Sequence, residues 1–409
     1  MSILKNEPIY PFKDDDYMKP RHIIVAGTNE EIGFDLATLA KQEYGCKLGT
    51  YDEPIYAKAR KAYLAKNWPH MLERSKGVLR AYGLSEDDVV YDATCLPFDW
   101  YDVGKGSSLD LVTCSAALLP HEKTDTGTTY ISRNFDMMAM VLWSDMMGKQ
   151  APEGAHNCFS RAVVLETRPE KGYKTILVGG HELLSPYLDG LNEKGLYITQ
   201  FHDPGSVGKE GTPPSGMDMS GVSTNQLVGL LLDTCATVEE AKQQILQNRI
   251  MQVNMRTHVL IADAGGNAAV FEIDQQSVAY VFVDRQANEP LFITNHPLHI
   301  YPTPDTYPDI NMDAEHNSFT RQVLFRDKFA ALQAPYKRED ATTLTDAVHC
   351  AFVDDKQAEA GPKERTLMNV NTDLSKPELK VRWYLGDAEP IPGTNHLKDR
   401  MSDFYTFGF

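Results

Sequence analysis

The 409-residue chain has no long apolar run, no paired cysteine spacing and no surplus of basic side chains, and each absence removes a class of protein. Its longest apolar stretch, Leu227 to Leu232, is interrupted by Gly229, whereas a membrane-spanning helix needs roughly 20 such residues. No transmembrane segment is expected, and no membrane partner. The opening residues, MSILKNEPIYPFKDDD, give three apolar positions before charge and proline intervene, too few for a secretory core of about 7–15. The mature protein is therefore read as cytoplasmic. The six cysteines, at 46, 95, 114, 158, 235 and 350, are scattered, unlike a disulfide framework or a Cys-x-x-Cys metal site. With 57 acidic against 40 basic side chains, the formal charge of −17 repels phosphate backbones and anionic lipid, so nucleic acid is not an expected partner.

Two further signatures are missing. HIIVAGTNEEIG runs like a strand into a glycine but lacks G-x-G-x-x-G and G-x-x-x-x-G-K-[ST], so a turn is expected there rather than a nucleotide site. His296 and His299 stand three apart, yet Pro297 disfavours a helix and no third ligand accompanies them. No metal and no cofactor are expected.

What is present is an ordinary globular composition, 42% hydrophobic and 24% charged, in a chain long enough for one large unit or two closely packed domains. Leu64, Trp68, Met71, Leu72, Leu79 and Tyr82 recur at separations of three, four and seven, which predicts an amphipathic helix across 52–82 that Pro69 kinks. Ser85 with Asp88 resembles a capping box opening a further short helix, so the first hundred residues read as largely helical. After about residue 110 short β-prone runs take over: LDLVTCSAALL, TTYISRNFDM, RAVVLET, KTILVGG and KGLYITQFH, each bounded by Gly, Pro, Asp or Asn. A capping box at Thr237 and Glu240 opens a helix after LVGLLLDTC. HVLIADAGGNAAVFEID predicts a hairpin turning at Gly265-Gly266, with EPLFITNHP as a third strand, and SFTRQVLFRDKFAALQ is helical by periodicity. The connection 203–221, with five glycines and three prolines, is long enough to serve as a substrate lid. Helices, then strands, then helices again make an α+β pattern.

A cysteine attacks only as thiolate and needs a base beside it. A cysteine at a chain terminus supplies its own, because a free α-amine has a pKa of about 7.7–8.0. Thr113-Cys114-Ser115 lies where helical sequence gives way to strands, and Arg133-Asn134-Phe135-Asp136 begins nineteen residues after Cys114. Further on come Asp189-Gly-Leu-Asn-Glu-Lys-Gly-Leu196, HVLIADAGGNAAVFE, Ile293-Thr-Asn-His-Pro297 and Asn317-Ser-Phe-Thr-Arg321. In this order the motifs resemble the choloylglycine hydrolase and penicillin V acylase superfamily, to which acid ceramidase and isopenicillin N acyltransferase are similar. GTNEEIGFDLA (27–37) and NWPHMLERSKGVLRAYGLSED (67–87) resemble the N-terminal part of isopenicillin N acyltransferase, so the likeness spans nearly the whole chain.

The resemblance implies an N-terminal-nucleophile fold, a four-layer αββα sandwich with Cys114 at a strand start and a helix-rich N-terminal segment. It implies a precursor that cuts itself between Thr113 and Cys114 into 1–113 and 114–409, the smaller piece staying bound as a subunit. Self-association into a homo-oligomer is left open. By matching position Cys114 is the nucleophile and Asp136 holds its α-amine. Arg133 favours the thiolate and anchors substrate. Asn295 supplies an oxyanion donor, a contact worth roughly 2.7–4 kcal/mol in such sites. Arg321 completes the polar network, and Asn192 is a further candidate. The segment Gln200 to His202, where relatives place a second oxyanion contact, lacks the expected asparagine or tyrosine. The family cleaves linear amides of small molecules, among them conjugated bile salts, penicillin side chains, N-acyl amino acids and N-acyl lactones. Hydrolysis and acyl transfer share one thioester and differ only in what resolves it.

Taken singly these residues have plainer explanations. A lone cysteine in VTCSAALL is more often a small buried hydrophobe, and that reading is kept for Cys46, Cys95, Cys158, Cys235 and Cys350. Arg133 and Asp136 alone would be a surface ion pair, and Asn295 before His-Pro an Asx-type turn. Their joint order favours the enzyme over the alternative, an uncleaved small-molecule binding protein on the same scaffold.

Overall fold

A computed structural model describes residues 2–94, 113–139, 159–179, 183–184, 188–203, 220–251, 256–274, 276–308, 317–351, 364–394 and 397–409. The expected lid falls almost wholly outside these residues, as do Cys95 and Cys158. Strands of the two large sheets are numbered in chain order. β1 (Ile3–Pro8) and β2 (Arg21–Gly27) precede three helices, α1 (Asn29–Glu43), α2 (Pro54–Asn67) and α3 (Pro69–Ala81). Then come β3 (Thr113–Leu119), β4 (Tyr130–Met138), β5 (Val163–Pro169), β6 (Thr175–Gly179), β7 (Asp189–Asn192) and β8 (Tyr197–His202). Helices α4 (Thr224–Thr234) and α5 (Val238–Leu246) lead to β9 (Thr257–Ala262), β10 (Ala268–Ile273), β11 (Tyr280–Asp284) and β12 (Leu291–Ile293). Helices α6 (Ser318–Ala330) and α7 (Arg338–Asp346) are followed by β13 (Glu364–Asp373), β14 (Glu378–Pro390), β15 (Leu397–Met401) and β16 (Tyr405–Gly408).

Nine strands form one sheet in the order β1-β2-β5-β6-β7-β8-β9-β10-β11, and seven form the other, β12-β3-β4-β13-β14-β15 with β16 also paired to β14. Side-chain alternation assigns the layers. On β3, Cys114, Ala116 and Leu118 belong to one apolar cluster, while Ala117 and Leu119 belong to another with Phe325 of α6 and Leu344 of α7. On β5, Val164 shares the first cluster, whereas Val163 and Leu165 join Leu36 of α1, Leu231 of α4 and Ile245 of α5. Successive residues of a strand point to opposite faces, so each sheet is buried on both sides. The layers run helix, sheet, sheet, helix, as the resemblance implies, and Cys114 faces the gap between the sheets.

Several elements depart from the sequence reading for identifiable reasons. Pro69 ends one helix and begins another rather than kinking a single one, with Trp68 between them; a proline has no N–H to continue the helical ladder and is tolerated at a first position. Ser85 and Asp88 open no helix: the Asp88 carboxylate accepts from Val90 N and Tyr91 N and closes a local turn instead. The largely helical N-terminal stretch also supplies β1 and β2, and β2 pairs in parallel with β5 from Arg21–Val163 to Gly27–Pro169. EPLFITNHP does follow the β9–β10 hairpin, but β12 crosses to the other sheet and pairs with β3. The capping box on α1 is complete, Thr28 accepting from Glu31 N and Glu31 from Thr28 N.

Helices α1 and α3 approach through two glycines. A methyl group on Gly33 would lie 2.1 Å from Arg74 O, and one on Gly77 would lie 2.0 Å from Glu30 O. Both obstacles are backbone carbonyls, which cannot swing aside. Gly77→Ala is therefore expected to destabilise by the upper part of about 1–3 kcal/mol, outweighing the roughly 1 kcal/mol gained in helix propensity. A denaturant midpoint equal to that of the parent protein would refute this close approach.

Candidate active site

Cys114 is the second residue of β3 and is 1% exposed. The antiparallel register of β3 and β4 sets Thr113 opposite Asp136, Cys114 opposite Phe135 and Ala116 opposite Arg133. Residues two apart share a face, which is why Arg133, Phe135 and the nucleophile candidate meet between the sheets. An Arg133 Nη2 donor lies 3.2 Å from Cys114 Sγ and equally 3.2 Å from Gln200 O. Arg133 Nη1 forms an ion pair with Asp189 Oδ2 at 3.6 Å, too long for a hydrogen bond, and Tyr197 OH donates to the other Asp189 oxygen at 2.7 Å. The guanidinium also sits 5.0 Å from the Phe135 ring centre.

Asn295, two residues past the end of β12, and Arg321, on α6, arrive from the other side. Cys114 N donates to Asn295 Oδ1 at 3.0 Å, Arg321 Nη2 donates to the same oxygen at 2.6 Å, and Arg321 Nη1 donates to Cys114 O at 2.6 Å. Asn295 Nδ2 donates to His202 O at 2.6 Å. The Asn295 backbone is itself fixed: its N–H donates to Ser318 Oγ, and His258 Nε2 lies 2.9 Å from Thr294 O. Cys114, Arg133, Asn295 and Arg321, from four separate motifs, thus make direct contact, and Asp136 borders them through Thr113.

Two expected residues stand differently. Asp136 takes no hydrogen bond from Cys114 N in the continuous chain. Its Oδ1 accepts from Thr366 Oγ1 at 2.6 Å and its Oδ2 lies 3.4 Å from Thr113 Oγ1. Asn192 does not join the group at all. Its Nδ2 donates to Leu232 O and Cys235 O, and its Oδ1 accepts from Lys194 N and Leu196 N. Two of these bonds close the β7–β8 turn, as a buried Asx turn does, and two tie it to the C-terminal end of α4.

The thiol is not poised as thiolate. Burial pushes Cys114 up to about 11, against the opposing pull of Arg133, so desolvation outweighs the charge that was expected to favour ionisation. Cys235 is likewise pushed up to about 11 by burial, and Cys46, Cys235 and Cys350 are buried free thiols as expected. What separates Cys114 from Cys235 is the Arg133 donor at its sulfur, since burial pushes both thiols up to about 11. His299 bonds Glu272 and Asp274, while His296 stacks on Phe319 at 4.3 Å and burial pushes it down to about 3. Among the described residues no group of three or more His, Cys, Asp or Glu could hold a metal ion, and no helix is long and apolar enough to cross a membrane.

The sequence reading missed Asp189, although it lies within a quoted motif, and missed Glu364 and Thr366 entirely. Glu364 Oε1 accepts from Thr113 Oγ1 at 2.7 Å. Nothing local marks either β13 residue; only the pairing of β13 with β4 brings them beside Asp136.

A four-layer sandwich whose inter-sheet gap holds a strand-start cysteine among arginine and asparagine side chains is the architecture of an N-terminal-nucleophile hydrolase. The model of the family described as acyl-coenzyme A:6-aminopenicillanic acid acyl-transferase matches residues 123–386, more than half of the chain, and the protein belongs to that family. The match starts just after Cys114 and contains Arg133, Asp136, Asn295, Arg321 and Glu364. Comparison with curated protein sequences finds no match. Among solved structures the chain is similar to penicillin V acylase from Agrobacterium tumefaciens, at 16% identity over 66% of this chain and 82% of that one, TM-score 0.44. It is also similar to two variants of conjugated bile acid hydrolase from Clostridium perfringens, each at 13% identity over 72% of this chain and 97% of the other, TM-scores 0.45 and 0.46.

Proposed function

We propose that the protein is a self-processing cysteine amidohydrolase or acyltransferase acting on a linear, non-peptide amide of a small N-acyl compound. The observation that carries this reading is the convergence of Arg133, Asn295 and Arg321 on both ends of the Cys114 residue, its sulfur and its backbone. In the continuous chain the nitrogen of Cys114 is an amide and cannot serve as a base, and its thiol is held protonated by burial. Scission between Thr113 and Cys114 changes both conditions, because it frees an amine beside the sulfur that can accept its proton. Asp136, opposite Thr113 in the sheet, is the carboxylate that in this reading holds that amine once it is charged.

In turnover the sulfur attacks the amide carbon of the substrate, the amine of the leaving group departs with a proton from Cys114 N, and a thioester remains. Water or an acceptor amine resolves it. The Asn295 amide, once released from His202 O, is the donor for the oxyanion, and Arg321 fixes its other end. Among acyl groups, the apolar faces of Phe135 and Phe201 flanking Arg133 favour an uncharged, hydrophobic one.

Intact-mass measurement of purified protein tests the reading. Two fragments meeting at 113/114 are expected, with amidase activity in the processed sample. A single full-length species, unprocessed after prolonged incubation and inactive on penicillin V, glycocholate and N-acyl amino acids, would refute it.

A further inference from the structure

Glu364 opens β13 and is partly buried, and its carboxylate takes the single proton that the Thr113 hydroxyl can offer, at 2.7 Å, with Asp136 Oδ2 at 3.4 Å from the same oxygen. Two carboxyl groups therefore bracket the residue that precedes the scissile bond. We propose that Glu364 times the departure of the new carboxy terminus: it grips the Thr113 side chain while the chain is intact, then expels the Thr113 carboxylate that the cut creates. The inference rests on the self-processing reading and deepens it.

The chemistry of the cut produces the charge. Cys114 Sγ bonds to the Thr113 carbonyl carbon, the C–N bond breaks, and the thiol proton ends on the Cys114 nitrogen. Water then adds to the thioester carbon and the C–S bond breaks. Sulfur regains one proton, and Thr113 keeps the oxygen as a carboxylic acid. A chain-terminal carboxyl ionises at about 3.5, so near neutral pH a new anion is formed on the residue that Glu364 and Asp136 already flank. Like charges at such separations disfavour one another strongly.

The groups facing Glu364 set the balance. Burial raises Glu364 to about 7, the Thr113 hydroxyl opposing and Asp136 reinforcing the rise. Arg321 and Arg365 pull the other way, but Arg321 is engaged by Cys114 O and Asn295 and Arg365 by Asp387. The nearby Cys350 thiol is neutral, burial holding it well above its usual range. His349, which faces Asp136, is paired with Asp399. Glu364 stands at about 7 in the uncut chain, and the new carboxylate beside it raises it further; while protonated, Glu364 donates to that carboxylate and retains it. Once ionised at higher pH, Glu364 is an anion and drives it out, clearing the space beside Cys114.

Glu364→Gln keeps the shape and the acceptor oxygen but cannot ionise. Carboxypeptidase trimming of the smaller fragment in the processed, folded protein, read by mass and normalised to the denatured fragment, reports whether the Thr113 terminus is out. In the parent protein trimming is expected to rise about tenfold as pH is raised above about 7, and in Glu364→Gln to show no such rise. Glu364→Ala, which loses the grip as well, is expected to process about tenfold more slowly. Processing with identical trimming profiles in the parent and Glu364→Gln would overturn this inference alone. A parent protein that never cuts at 113/114 would overturn the parent reading with it.

Discussion

Cys114→Ala is expected to leave the chain in one piece and without turnover. Cys235 contacts Thr234 Oγ1 at 3.5 Å and Cys350 is enclosed near Glu364, whereas Cys114 has an arginine donor at its sulfur. Loss of a nucleophile in an assembled catalytic group lowers kcat on the order of 10⁶-fold. Cys235→Ala, with the same change of side chain and the same buried setting, is expected to cost about 1 kcal/mol in stability and to process and turn over normally. Gel and intact-mass analysis of the two variants, with an amidase assay, makes the comparison. Equal losses in both would remove Cys114 from its proposed role.

Arg133→Met is expected to have the largest effect on stability. Arg133 and Asp189 side chains are both 0% exposed and 3.6 Å apart, so removing the guanidinium leaves a buried carboxylate held only by the Tyr197 hydroxyl. Breaking one half of such a pair costs about 3–5 kcal/mol. Adding Asp189→Asn removes the stranded charge, and the double variant should recover most of the lost stability. It should not recover activity, because the cation at the Cys114 sulfur and at Gln200 O is still missing. Denaturant midpoints and turnover rates of the two single variants and the double variant form the cycle. Recovery of turnover in the double variant would show that Arg133 serves only the fold.

How far the sequence could be read depended on whether the information was local. The β-prone run LDLVTCSAALL and the periodicity of SFTRQVLFRDKFAALQ are local signals, and both elements stand where those patterns put them. Ordered motifs brought Arg133, Asn295 and Arg321 to one cysteine, Cys114, because family likeness carries long-range pairing that periodicity does not. Partner choice was not legible. Asn192 has the same side chain as Asn295, but its neighbours are backbone groups of a turn. Asp136 meets Thr366, 230 residues distant, through a sheet register that no short window contains. The balance between burial and Arg133 at the thiol is likewise a property of the packed molecule. β2 was passed over as a strand partner because its parallel mate, β5, begins more than 130 residues later.

That parallel mate fixes an order of events. β1 and β2 extend the nine-stranded sheet beyond β5, and α1 covers the apolar side chains that Val163 and Leu165 present. A gene beginning at residue 114 would deliver a terminal cysteine without any cutting, yet the polypeptide it encodes would lack two strands and the helix lying over them. Under the proposed self-processing, bypassing the cut is thus a poor route to working catalyst: the whole chain has to acquire its shape first, and only afterwards can the bond in its middle be given up.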